Sequence, residues 1–164
     1  MINKTYPITE KLLENALSLS LKLLEQLSTE ADNLKSNADS TAISEIAASK
    51  KETVSQLDKF SKQLTQVLAT EKLPMTADGI TEYFNKAETV NLNTKNSTHL
   101  WEEIIAISKQ CRSLNEKNGA SINLLAQHTQ RSLKILKGKS QQATTYGPDG
   151  STYNERFSHS LVSV

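Results

Sequence analysis

Apolar residues recur at alternating steps of four and three along the first part of the chain. The repeat consists of Leu13, Leu17, Ser20, Leu24, Leu27, Ala31 and Leu34. This spacing places its members on one side of an α-helix, as in the seam of a coiled coil. Helices rarely extend through a proline, and Pro7 precedes a suitable N-terminal capping residue, Thr9. The pattern therefore predicts a first helix over residues 8–35.

A second apolar stripe begins after a short polar connection. Its members share one face of a helix at about 3.6 residues per turn: Ile43, Ile46, Ala47, Lys50, Val54, Leu57, Ser61, Leu64 and Leu68. Lys50 is the charged member of the stripe. We expect its aliphatic stem to cover apolar surface while its ammonium group reaches water. The stripe predicts a second long helix.

Pro74 predicts the end of this second helix, because proline lacks a backbone N–H and restricts the residues before it. A short helical piece is predicted next from the spacing of Ile80, Tyr83, Phe84 and Ala87. Polar residues that favour caps over helix interiors then predict a break, or a kinked start of the next helix, near residues 91–97.

The last long helix is predicted from residue 97 onward. Its first stripe is Leu100, Ile104, Ile107, Cys111 and Leu114, and it continues as Asn118, Ile122, Leu125, Thr129, Leu133 and Leu136. Extra steps of four near Gly119 predict that the buried side rotates around the helix. A second row, Leu124, His128, Arg131 and Ile135, lies on another side. A helix that is apolar on two sides needs two neighbours, which are either core helices or another protein.

Helical periodicity ends near residue 137, and the rest of the chain is polar and rich in Ser and Thr. Such a segment buries too little apolar area to offset an ordering cost of about 1–2 kcal/mol per residue. We therefore predict a helical bundle over residues 1–137 and a flexible tail over residues 138–164. The predicted fold is all-α, an elongated antiparallel bundle of about three long helices with coiled-coil-like packing.

The charge balance and the hydropathy narrow the classes of partner. The chain contains 19 Lys and Arg and 18 Asp and Glu. It therefore lacks the excess of basic residues that is typical of a protein that binds nucleic acid. No apolar run approaches the roughly 20 residues of a membrane span, so we expect no membrane insertion. The single Cys111 has no partner for an internal disulfide, and we expect it to be a small buried hydrophobe in a cytoplasmic protein.

Sequence motifs for catalysis are absent. The three histidines, His99, His128 and His159, lie on separate segments, and there is no glycine-rich phosphate loop, nucleophile elbow or Cys-x-x-Cys pair. The sequence predicts no catalytic residues, no metal site and no cofactor.

Three short motifs occur in one order: LNEKNG at 114–119, QHTQRSLKILK at 127–137 and YGPDG at 146–150. Together with Trp101 near the start of the last helix and Lys50-Lys51-Glu52 in the second, they resemble the FlgN family of flagellar export chaperones. The resemblance is concentrated in residues 97–150, while residues 72–96 and the serine-rich end depart from it.

The resemblance implies a cytoplasmic chaperone that binds the C-terminal helical segments of flagellar hook-associated proteins. It would prevent their premature association and deliver them to the export gate, with the export ATPase as a further candidate partner. Tyr146 matches the tyrosine that the family uses to dock on the cytoplasmic domain of the gate.

We expect the client groove to lie mainly within residues 97–137. It would comprise Ile122, Leu124, Leu125, Thr129, Leu133, Ile135 and Leu136. The alternative function is a structural coiled-coil adaptor that self-associates through the same seams. The sequence leaves the oligomeric state open.

Overall fold

The computed structural model describes residues 1–36, 39–136, 145–146 and 152–153. These residues form four α-helices and one pair of short strands: α1 (Ile2–Lys35), α2 (Ser40–Thr70), α3 (Ala77–Thr89), α4 (Lys95–Leu136), β1 (Thr145–Tyr146) and β2 (Thr152–Tyr153). The chain divides into two compact units, Met1–Ile122 and Asn123–Val164. The predicted all-α fold with three long helices is confirmed for the helical part, and the short α3 is a fourth helix.

The predicted flexible tail over residues 138–164 falls mostly outside the described residues. Its four described residues form an antiparallel pair, with Thr145 opposite Tyr153 and Tyr146 opposite Thr152. Within the part of the chain that the structure describes, no helix has both the length and the apolarity to cross a membrane.

The helices α1 and α2 pack against each other in opposite directions. Near the start of α1, Thr5 Oγ1 donates a hydrogen bond to Glu71 Oε1 just beyond the end of α2, at 2.9 Å. Farther along α1, Gln26 Nε2 donates to Ser49 Oγ at 2.6 Å. The predicted α1 seam is confirmed, because all seven of its members are buried or partly buried.

The buried side of α2 differs from the predicted stripe in its middle. Val54 and Ser61 are exposed, whereas Thr53 is buried and Phe60 is partly buried. The buried line advances by alternating threes and fours as Ile46, Lys50, Thr53, Leu57, Phe60, Leu64 and Val67. The predicted stripe takes the same steps of four and three from Lys50 to Leu68, and it shares Lys50, Leu57 and Leu64 with the buried line. The structure buries the side of this shared row that holds Thr53, Phe60 and Val67, and it exposes the side that holds Val54 and Ser61.

Helix α4 packs on α1 in the parallel direction and in heptad register. Three hydrogen-bonded pairs each join residues 91 positions apart: Tyr6 with Ser97 at 2.8 Å, Ser20 with Cys111 at 3.9 Å, and Leu27 with Asn118 at 2.9 Å. Since 91 is a whole number of heptads, equivalent seam positions of the two helices face each other. Burial of Cys111 confirms its expected role as a small hydrophobe, and it also raises the pKa of the thiol.

The first helix begins six residues earlier than predicted, at Ile2, and contains Pro7. The missing N–H of Pro7 is offset by contacts of the first turns with the rest of the bundle. Tyr6 is buried and its hydroxyl donates to the backbone oxygen of Asn93 at 2.8 Å. Tertiary packing therefore holds a proline-containing start that the local signals alone disfavour.

Tyr83 of α3 lies at the centre of this end of the core and is 1% exposed. Its hydroxyl lies 2.8 Å from Thr9 Oγ1 and donates to Thr5 Oγ1 at 3.3 Å. Burial raises the pKa of Tyr83, so the hydroxyl stays protonated and able to donate. These bonds fix the short α3 against the beginning of α1.

Both turns that flank α3 use a left-handed residue to end a helix. Lys72 has φ 59° and Asn91 has φ 63°. In each turn the next residue donates back to the carbonyl five positions earlier: Leu73 to Leu68 at 2.9 Å and Leu92 to Ala87 at 3.1 Å. These are Schellman caps, which satisfy the last carbonyl groups of α2 and α3. The predicted interruption before Pro74 and the break near residue 91 are confirmed.

A buried ion pair joins three helices. Glu30 of α1 has a carboxylate that is almost fully buried, and Lys50 Nζ of α2 lies 2.7 Å from both of its oxygens. Asn118 of α4 donates to Glu30 Oε2 at 2.8 Å while also donating to the Leu27 carbonyl. We call Glu30, Lys50 and Asn118 the buried junction.

The expectation that the Lys50 ammonium reaches water is therefore wrong. Only 17% of the Lys50 side chain is exposed, and its charge is neutralised by Glu30. Sequence reasoning missed Glu30 because it lies beside the apolar seam position Ala31. The available signal was Lys50 itself, since a cation on an otherwise apolar stripe needs an acid nearby when it is buried.

Replacing Gly79 by Ala should destabilise the protein. A Cβ atom at this position would lie 2.1 Å from the backbone oxygen of Pro74, so the turn before α3 must move. Overpacking of this kind costs about 1–3 kcal/mol.

Gly119→Ala is the matched control, because nothing lies within 4 Å of its Cβ position. Removing that helical glycine should stabilise by about 0.5–1 kcal/mol. Urea unfolding of both variants tests this, and equal stabilities for the two would contradict the close approach.

Replacing Lys50 by Met should cost about 3–5 kcal/mol, because the Glu30 carboxylate would be left buried without its cation. Adding Glu30→Gln should recover much of that loss, since the uncompensated charge is then gone. Lys62→Met is the control: its ion pair with Asp58 is exposed and should be worth at most about 0.5 kcal/mol. Thermal or urea unfolding of the four proteins decides it, and a Lys50→Met variant as stable as Lys62→Met would show that the junction contributes nothing.

Candidate functional site

The final part of α4 presents large apolar side chains to solvent. Leu124 is 59% exposed, Ile135 75% and Leu136 82%. No residue from 120 to 136 is buried. We call residues 124–136, which lie within the second compact unit, the exposed end of α4.

The local sequence explains why this segment is helical. Residues 120–136 contain no Gly or Pro and are rich in residues with good helix propensity, such as Leu, Ala, Gln, Lys and Arg. Lys134 lies in the last turn, where a cation interacts favourably with the helix dipole. The surface is therefore supported by its own helical backbone.

All seven residues predicted to bind a client lie on α4, and all of them are exposed. They are Ile122, Leu124, Leu125, Thr129, Leu133, Ile135 and Leu136. Ile122 is the last residue of the first compact unit, and the other six belong to the exposed end of α4. Their binding role stays a prediction.

The apolar residues of the exposed end form two rows on different sides of the helix. Leu125, Thr129, Leu133 and Leu136 follow one row at steps of four, four and three. Leu124, His128, Arg131 and Ile135 follow the second row at steps of four, three and four. Residues at these spacings share a helix side, so each row can contact a separate neighbour.

The spacing predicted that the buried side of α4 rotates around the helix beyond Gly119, and this prediction is wrong. Burial stops instead: Asn118 is the last buried residue of α4. Of the two alternatives left open for the second row, core helices or another protein, the described residues supply no core neighbour: Leu124 and Ile135 are both exposed. The spacing pattern specifies which sides of the helix are apolar, but it does not specify whether the chain itself supplies a neighbour.

Covering the exposed apolar side chains of α4 would lower their free energy. Fully burying a leucine or isoleucine side chain is worth about 1.5–3 kcal/mol relative to leaving it in water. Clustered exposed apolar side chains are typical of surfaces that bind another protein. The exposed end of α4 thus has the apolar side chains that are typical of an association surface, and it holds them on a helix that is already formed.

Tyr146, the residue predicted to dock on the export gate, lies in β1. Its backbone pairs with Thr152 of β2. Tyr153, at the end of β2, pairs with Thr145. The docking role of Tyr146 stays a prediction, and the motif residues that follow it in the sequence lie outside the described part of the chain.

A second apolar surface lies in the first unit and was missed by sequence reasoning. Met75, Trp101 and Ile105 line an open groove of about 440 Å³ between the start of α3 and α4. Met75 and Ile105 are both more than a third exposed. The sequence did contain a signal for this surface: Met75 and Ile105 are large apolar residues that belong to none of the predicted buried stripes.

The titratable groups of α4 do not converge. His99 lies 3.7 Å from Glu103 on the exposed surface of the helix. Among the described residues, no three of His, Cys, Asp and Glu are grouped so that they could hold a metal ion.

Comparison with known proteins places these features in a family. A family model described as FlgN protein matches residues 5–154. The Flagella synthesis protein FlgN of Escherichia coli (strain K12) is 27% identical over 113 residues, which is 67% of this chain and 74% of that protein. No solved structure matches the chain significantly.

The family match includes α1 from residue 5 onward, all of α2, α3 and α4 with its exposed end, and Tyr146. It also agrees with the motifs found in the last helix and after it. The chain belongs to the FlgN family.

Proposed function

We propose that this protein is a cytoplasmic chaperone of flagellar type III export. It binds the C-terminal helical segments of flagellar hook-associated proteins, prevents their premature association and delivers them to the export gate. The observation that carries the proposal is the exposed end of α4, an apolar helical surface in a member of the FlgN family. The relative from Escherichia coli carries the name of a flagella synthesis protein, which agrees with this assignment.

The proposed activity is the reversible covering of apolar surface. A client protein that waits for export carries an amphipathic segment. If the apolar side of this segment stayed in water, it would associate with other copies of the client. A helix laid along the rows of α4 would bury that side, in the manner of helix-in-groove recognition. Because α4 is already helical, little conformational entropy is lost on the chaperone side. No covalent step is involved.

Delivery requires a second contact that client binding leaves free. Tyr146 lies outside the helical rows, in β1. Tyrosine is enriched at interface hot spots, because it offers a large contact area with little rotamer entropy to lose. We assign Tyr146 to docking on the cytoplasmic domain of the export gate, and the export ATPase is a further candidate partner.

The alternative is a structural adaptor that self-associates. It is favoured by the same exposed rows, since a second copy could cover them, and by the heptad register between α1 and α4, which is the packing of coiled-coil proteins. Light scattering of the purified protein separates the two functions. A stable homo-oligomer that ignores the C-terminal segment of a hook-associated protein would establish the adaptor.

Replacing Leu124 and Ile135 together by Ser should weaken binding of the C-terminal segment of a hook-associated protein. Both side chains are exposed, so the melting temperature and helicity should change only as far as two serines lower helix propensity, by about 0.5 kcal/mol each. Ile8→Ser with Leu21→Ser is the matched control, because these side chains are 52% and 50% exposed on α1. Calorimetric titration measures the affinities. Equal client affinity of the two double variants would exclude the second row from the client site.

Replacing Tyr146 by Ala should leave client affinity unchanged and weaken binding of the export gate's cytoplasmic domain. Loss of a hot-spot tyrosine costs about 2 kcal/mol or more, which is roughly a thirtyfold weaker Kd. Tyr153→Ala is the control, because it removes a tyrosine from the paired strand β2. The measurement is a titration of the client-loaded proteins with the gate domain. Equal gate affinities for wild type and Tyr146→Ala would remove Tyr146 from the mechanism.

A further inference from the structure

The exposed end of α4 lies in a stretch of sequence that carries positive charge only. No Asp or Glu occurs between Glu116 and Asp149. The same stretch contains Lys117, Arg131, Lys134, Lys137 and Lys139. The whole chain is nearly balanced, with a formal net charge of +1. Charge is therefore segregated along the sequence, and its basic part includes the apolar surface.

Two of these cations, Arg131 and Lys134, lie within the exposed end of α4 and are themselves exposed. Arg131 stands in the same row as Leu124 and Ile135, and Lys134 directly precedes Ile135. The helical neighbours three and four positions from Arg131 are Gln127, His128, Lys134 and Ile135, so no acid on the same helix side can pair with it. The described carboxylates all lie beyond ion-pair distance of both cations.

We infer that the exposed end of α4 binds an amphipathic helix that carries acidic side chains beside its apolar stripe. This inference rests on the proposed function and adds the charge of the client to it. A helix laid along the row of Leu124 and Ile135 brings its flanking side chains next to Arg131 and Lys134. Acidic flanks would then complement the two cations, whereas basic flanks would be repelled.

A second copy of this chain fits the surface less well. Pairing two exposed ends would bring Arg131 and Lys134 of both copies to one interface without any acid from residues 117–148. An anionic membrane also fits less well, because an interfacial helix needs one continuous apolar side opposite a polar side. Here Arg131 interrupts the second apolar row, and apolar residues lie on two sides of the helix.

Two synthetic peptides test the inference with the full-length chain. Both carry the same leucine repeat on one helix side, and one has Glu while the other has Lys at the flanking positions. Fluorescence anisotropy at low salt should give a Kd for the Glu peptide that is about tenfold lower than that for the Lys peptide, or lower still. The difference should shrink at high salt, where exposed charges are screened. Equal affinities, or tighter binding of the Lys peptide, would overturn the inference.

Variants with changed charges test whether Arg131 and Lys134 cause the preference for the Glu peptide. Arg131→Glu with Lys134→Glu should reverse the preference, and Arg131→Gln with Lys134→Gln should abolish it. Lys59→Glu with Lys109→Glu is the matched control, because it changes the net charge equally at exposed positions outside the exposed end of α4. A control that reverses the preference as strongly would show that net charge, and not the two cations, selects the peptide. Circular dichroism verifies that each variant keeps its helicity.

Three further measurements separate this inference from the proposed function. Binding of a hook-associated protein's C-terminal segment that is unchanged in Arg131→Glu with Lys134→Glu would overturn the charge inference and leave the chaperone function standing. Preference for the Glu peptide without any binding of that segment would overturn the proposed function alone. Co-sedimentation with phosphatidylglycerol vesicles that is lost in the same variant, combined with no peptide binding, would replace the helical partner by a membrane surface.

Discussion

The arrangement of the long helices depends on one buried carboxylate. Glu30 is 1% exposed, and an acid in that position is costly unless both its charge and its lone pairs are satisfied. Lys50 supplies the charge from α2 and Asn118 supplies a further donor from α4. A shift of either helix along α1 by a whole heptad, about 10 Å, would take its partner group away from Glu30. The junction thus stabilises a single register, whereas leucine seams alone tolerate sliding by whole heptads.

Asn118 also marks a change in the role of α4. Up to this residue the helix alternates buried apolar and small polar positions against α1, and after it no position is buried. A helix of 34 residues such as α1 cannot cover all 42 residues of α4. The same helix can therefore serve as a core element in its first part and as a binding surface in its last part.

The opposite end of the first unit is stabilised differently. There the hydroxyl groups of Tyr6 and Tyr83 are bonded to Thr, Ser and backbone oxygen atoms among leucine and phenylalanine side chains. This network holds α3 and the proline-containing first turns of α1 in place. The buried side chains of the described helices thus all lie within residues 1–118, and the apolar residues of the exposed end of α4 are not among them. Such a division allows binding residues to vary in charge without unfolding the protein.

The sequence by itself determined the succession of helices, the seam of α1 and the breaks before α3 and α4, because these follow from local rules: the leucine repeat of α1, the proline at 74 and the capping residues near 91. It also determined the family, through motifs in α4 and after it, and it identified the apolar rows around Leu124 and Leu133. Only the tertiary structure decided that α1 starts before Pro7, that Lys50 is paired with Glu30, and that burial ends at Asn118. Each of these depends on which residues distant in sequence become neighbours. A periodic pattern states which side of a helix avoids water, but only the packed chain states whether a neighbour is already there.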